Sequence, residues 1–161
     1  MARLGPRLFL AVVAMLATLP LAGAGEQVLM WTEKTGGGLT TLAYGPLDPA
    51  QNPLFMLSCF SGMNIVVLDV HKEIPDAKPG DPLTIELSSA KAQSPVDGEV
   101  GKNETTGKTF GEASDINVKP VLEVLRDSGP LTIKMGEASA TMSEVGRAES
   151  VGKFVENCKL E

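Results

Sequence analysis

The chain contains one histidine, His71, and two cysteines, Cys59 and Cys158. His71 closes the apolar run "NIVVLDVH", and Asp69, two positions earlier, shares its face if that run is a strand. An Asp-x-His pair on a strand aligns two metal ligands, and beside a serine it supplies the base and the orienting acid of a nucleophilic set. Neither chemistry is completed here. Third and fourth ligands would have to come from unmarked positions such as Glu73 or Asp76. A serine nucleophile needs a sharp turn into a helix, whereas Ser61-Gly62 lies between two strand-like runs. The expected role of His71 is a strand end beside a proline-rich turn, with no catalytic residue and no metal ligand assigned.

Other motifs give as little chemistry. Twenty acidic residues make any one pair of carboxylates uninformative. One tryptophan and one tyrosine are few for the aromatic platforms on which sugar hydrolases hold their substrates. Gly36-Gly37-Gly38 lacks the lysine and helix start of a phosphate loop and reads as a turn. Met30, Met56, Met63, Met135 and Met142 lie in separate segments and read as core filler, not as a copper cluster. No cofactor and no enzymatic activity are expected.

The first residues predict export from the cytoplasm. Arg3 and Arg7 precede an apolar run from Leu8 to Leu21, and Ala22-Gly23-Ala24 is a small-x-small cleavage site. Residues 1–24 are predicted to be a signal peptide cleaved after Ala24. Residues 25–161 then form one domain, with no stable membrane insertion after cleavage. The formal net charge of −6 becomes more negative when both arginines leave, and no basic cluster remains. No nucleic-acid partner is therefore expected. Two cysteines in an exported chain predict a bridge, Cys59–Cys158, because the C-x-x-C spacing of a redox pair is missing. Closing a loop of roughly a hundred residues is worth on the order of 4 to 5 kcal/mol in the chain-entropy model.

Alternation and punctuation locate the elements. "QVLMWTEK" and "LTTLAY" flank the glycine turn as a hairpin. "PLFMLSCF" and "MNIVVLDVH" form a second hairpin, with Ser61-Gly62 as a two-residue connection and the second strand apolar on both faces. Lys72, Lys78 and Lys91 surround a proline-rich connector as a solvated rim. "LTIELSS" is a half-buried strand. Residues 95–113, with their scattered Val96, Val100 and Phe110, predict short edge strands around a mobile loop at 103–107. Val118, Val121, Leu122 and Leu125 mark a helix capped by Asp115 or Asn117 and stopped by Ser128-Gly129-Pro130. A hairpin about Gly136 follows. Ala148, Val151, Gly152, Val155 and Cys158, with Phe154 beside them, form the stripe of a terminal helix begun by Ser143 or Gly146. The expected fold is α+β, an antiparallel sandwich-like sheet of about seven to nine strands with helices near 117–128 and 144–158. The last helix, poor in large apolar residues, is bolted to the sheet by the disulfide.

The stretches "CFSGMNIVVLDV", "VKPVLEVLRDSGPLTIKMG" and "SEVGRAESVGKFVENC" occur in an order that resembles small bacterial periplasmic proteins. These are the invasion-associated locus B proteins and the VasI-like accessory proteins of type VI secretion. The shared pattern falls on Ser143, Gly146, Ala148, Phe154 and Cys158. This resemblance implies a periplasmic sheet domain that works through binding or envelope assembly, with another envelope or secreted protein as its partner. The alternative expectation is a small-ligand carrier with a pocket between sheet and helices.

Overall fold

Gly37 and Gly38 both adopt positive φ (61° and 81°). This is the turn geometry that matches the twist of a tight hairpin, and it joins β1 (Leu29–Gly36) to β2 (Leu39–Pro46). A computed structural model describes residues 28–160 apart from 49, 61 and 64. The predicted leader lies outside the described residues. Seven further strands follow: β3 (Phe55–Phe60), β4 (Ile65–Val70), β5 (Pro82–Ser88), β6 (Gln93–Lys102), β7 (Thr109–Ala113), β8 (Leu131–Met135) and β9 (Ala138–Met142). Two helices, α1 (Val118–Arg126) and α2 (Arg147–Cys158), complete the α+β fold.

All neighbours in the sheet are antiparallel, in the order β1-β2-β3-β4-β7-β6-β5-β8-β9. The region predicted as edge strands is therefore the middle of the sheet. Its apolar pattern is faint because glycines stand where side chains would collide. A Cβ on Gly98 would strike the Glu112 carbonyl oxygen, one on Gly101 the Phe110 ring, and one on Gly111 the Met135 sulfur. The loop at 103–107 is laced rather than loose. Asn103 Oδ1 accepts from the N–H groups of Thr105 and Thr106 at 3.1 and 2.9 Å, and the Gly107 N–H donates to the Asn103 carbonyl at 2.7 Å.

Nine flat strands would hold the outermost pair about 38 Å apart. Instead, Trp31 of β1 donates its indole N–H to the carbonyl of Ser143, the residue after β9, at 2.7 Å. The sheet curls until its two ends meet around a single core. Trp31 also packs against Tyr44 and Phe55, with ring centroids 5.2 and 5.5 Å away. The second hairpin differs from expectation in two respects. Phe60 pairs with Ile65, so the connection spans four residues. Val66, Leu68 and Val70 are buried, but Ile65, Val67 and Asp69 on the other face are only half-covered. Met63 in that loop is exposed rather than core.

Asn117 caps α1 and Gly146 begins α2. The predicted α2 stripe is turned: Arg147, Ser150, Val151 and Phe154 are buried, Val155 and Cys158 half-buried, and Ala148 and Gly152 exposed. Arg147 explains the turn. Only 2% exposed, it donates from Nη2 to the carbonyls of Asp127 and Gly129, where α1 ends and β8 is about to begin. Burial lowers its pKa while Glu144 and Asp127 favour the charge. Asp127 in turn accepts from the Ser89 hydroxyl and the Lys91 N–H, tying the β5–β6 turn to the same point. At the far end of α2, Cys158 is bonded to Cys59 of β3, with Cα atoms 6.1 Å apart across 99 residues of sequence.

Gly98→Ala and Gly111→Ala should each lower unfolding free energy in urea by about 1 to 3 kcal/mol, the usual cost of overpacking. Gly152→Ala, on an exposed helix position with open space around it, should raise it by about 0.5 to 1 kcal/mol. Arg147→Ala, which empties a buried site and leaves two carbonyls without their donor, should cost roughly 2 to 5 kcal/mol, and Arg147→Met, which restores bulk without the carbonyl contacts, should cost less. An Arg147→Ala protein as stable as the parent would show that the guanidinium does not hold the helix.

Candidate functional site

Two places gather chemically capable side chains. The first is the outer face of β4, β7 and β6. Asp69 stands directly across from Glu112, and Glu112 across from Glu99, so three carboxylates line up over three adjacent strands. Like charges so placed weaken a sheet. Burial raises the Asp69 pKa. Glu112 is raised by burial first, then by the charges of Asp69 and Glu99 and a hydrogen bond with Glu99.

His71 has different neighbours. Its ring lies against Phe110, centroids 4.9 Å apart, and burial pushes its pKa down, which favours the neutral imidazole. Its backbone N–H donates to the Leu54 carbonyl at 2.8 Å. Of the other suggested ligands, Glu73 lines the same hollow as His71 but pairs with Lys108 at 3.2 Å, and Asp76 occupies an exposed turn at φ 59°. Among the described residues no group of three or more His, Cys, Asp and Glu side chains is arranged to hold a metal ion. The structure thus leaves Asp69 among carboxylates and His71 beside an aromatic ring. Glu112 and Glu99 escaped the sequence reading because only the β4–β7–β6 register brings them to Asp69.

The second place is a groove between α1, β4 and the end of α2, with a volume of about 440 Å³. Backbone bonds build it. The Ile116 N–H donates to the Val66 carbonyl at 3.1 Å, which clips the entry of α1 onto β4. After α2 the chain reverses at Lys159 (φ 55°), and the Leu160 N–H returns to the Val155 carbonyl at 3.1 Å. That helix-terminating turn lays an apolar residue back against the helix. Leu160 thereby joins Val66, Ile116, Val118 and Leu122 on the apolar floor. Lys119, Glu123, Arg126 and Lys159, all exposed, form the rim. A smaller hollow of about 230 Å³ beside the disulfide shares Val66, Lys159 and Leu160 and so extends the groove toward Phe60.

No protein-family model, curated protein or solved structure matches the chain. Asp69, Glu112 and Glu99 form a repulsive ladder, while the groove combines an apolar floor, a charged rim, one wall held by the disulfide and one held by a backbone hydrogen bond. A space between sheet and helices belonged to the carrier alternative alone, and the cationic rim was not foreseen, because Lys119 lies on α1 and Lys159 in the turn after α2, 40 residues apart in sequence.

The ladder generates a pH prediction. A carboxyl whose pKa is raised on folding binds its proton more tightly in the native state, so its contribution to stability falls as pH rises from the ordinary carboxylate range through the raised value. Glu112→Gln should therefore be more stable than the parent at neutral pH, with the advantage fading below about pH 4. Urea unfolding across this range checks it. A variant less stable at neutral pH, or a pH-independent difference, contradicts the repulsive reading.

Proposed function

We propose that the chain is an exported binding protein, periplasmic or secreted, which acts without catalysis by engaging another envelope or secreted protein. The observation that carries this reading is the groove: an apolar centre open to solvent and surrounded by charged side chains, the arrangement of protein interaction surfaces. The Cys59–Cys158 bridge supports an oxidising compartment. Among the described residues no helix is long and apolar enough to cross a membrane. The likeness to periplasmic envelope proteins read from the sequence points to assembly or secretion as the process served.

A small-ligand carrier is the second reading, favoured by one observation. The groove volume of about 440 Å³ lies within the range of small-molecule clefts, roughly 300 to 1,000 Å³. To separate the two, a photoreactive residue is placed at Lys119 on the groove rim, or at Lys134 on the outer face of β8, and adducts formed in the native host are identified by mass spectrometry. A recurring protein adduct from either position is expected. Adducts without a recurring protein, together with a raised unfolding temperature in the presence of a lipid, sugar or metal, would transfer the function to the carrier reading.

A further inference from the structure

We infer that the groove receives an acidic segment of the protein partner, with an apolar side chain seated on Val66, Val118, Leu122 and Leu160 and flanking carboxylates facing Lys119, Arg126 and Lys159. This inference rests on the binding role proposed above and names the chemistry of its partner. Charge is the first argument. The chain carries a formal net charge of −6, yet this groove presents three cations against the single acid Glu123. Ion pairs among the described residues join Lys108 to Glu73 and Lys153 to Glu149. Lys119, Arg126 and Lys159 have no such partner among the described residues, so each retains its full capacity to attract an incoming carboxylate.

Exposure is the second argument. Val66 and Leu122 are buried, whereas Ile116, Val118 and Leu160 are half-exposed, and every charged rim residue is exposed. A carrier pocket hides most of its ligand from water. Here apolar surface lies open along the groove and suits a chain that covers it from outside. The third argument is rigidity. One wall is fixed by the Ile116 to Val66 hydrogen bond, the other by the disulfide and the reversed turn at Lys159. Little ordering is left to oppose association.

The test pans a displayed random dodecapeptide library on the disulfide-intact protein. It then measures the enriched peptides by fluorescence anisotropy against the parent, Lys119→Glu/Arg126→Glu, and Lys72→Glu/Lys78→Glu as a control with the same charge change elsewhere. Enriched peptides should place carboxylates around a large apolar residue and bind more weakly as salt rises. The rim double variant should lose roughly tenfold or more in affinity, and the control should lose much less. Thermal unfolding of all three proteins separates a lost contact from a lost fold. Failure to enrich peptides, enrichment without acidic residues, or equal loss in the control overturns the inference. So does displacement of the peptide by dodecanoate at matching concentration, which assigns the groove to a small amphipathic acid. A recurring partner in the cross-linking experiment whose capture is indifferent to Lys119→Glu/Arg126→Glu leaves the binding role standing and removes only this groove from it.

Discussion

The fold depends on close packing against three glycines in the middle of its sheet. At Gly98, Gly101 and Gly111 the space a side chain would need is already taken by a carbonyl oxygen, an aromatic ring and a methionine sulfur. Burying a glycine forgoes the apolar area that a valine would contribute, about 1.5 to 3 kcal/mol at each site. What returns is close packing: the Met135 sulfur lies over Gly111, and Ala113 lies beside Gly98. The aromatic group of Trp31, Tyr44 and Phe55 then fills the space between the sheet ends and the helices.

Once the sheet is curled, α2 must lie against its first hairpin, and the helix is held at both ends by unlike means. Arg147 grips the α1–β8 junction through backbone carbonyls, which serve as acceptors whatever side chains surround them. Its Nη1 finds no acceptor among the described residues, so the grip carries a desolvation cost and gains in position more than in net energy. Cys158 supplies the second hold. Between them lie Val151 and Phe154, the large apolar contacts of a helix otherwise rich in small and charged residues. The groove inherits its shape from this arrangement, since the turn after Cys158 provides one of its walls.

Much of this was legible in the sequence, and the parts that were not share a cause. Alternating residues marked β1, β2, β3 and β5, a run read as apolar on both faces marked β4, helical apolar spacing with Asp115 or Asn117 before it marked α1, Gly136 marked the β8–β9 turn, and the cysteine pair marked the tie between α2 and the sheet. These signals are local or covalent. Strand order is neither. Residues 95–113 resembled an edge because glycine is scored as weak strand, yet here it is the residue that a crowded central position requires. Arg147 was absent from the expected core because charge normally excludes burial; its partners are carbonyl groups, which the identities of residues 127 and 129 do not reveal. The carboxylate ladder and the cationic rim were hidden for the same reason, because both depend on which distant segments become neighbours.

The hydrogen bonds that close the molecule also bear on how it is made. Trp31 meets Ser143 across 112 positions, and Glu33 meets Asn157 across 124. Contacts this remote form late, after the loop entropy between them has been overcome, and chains dominated by them fold in milliseconds to seconds. Until that moment the apolar inner face of the sheet lies open, and partly folded chains with exposed apolar surface associate with one another. The interval before the ends meet is therefore the stage at which this protein most needs to be kept apart from copies of itself.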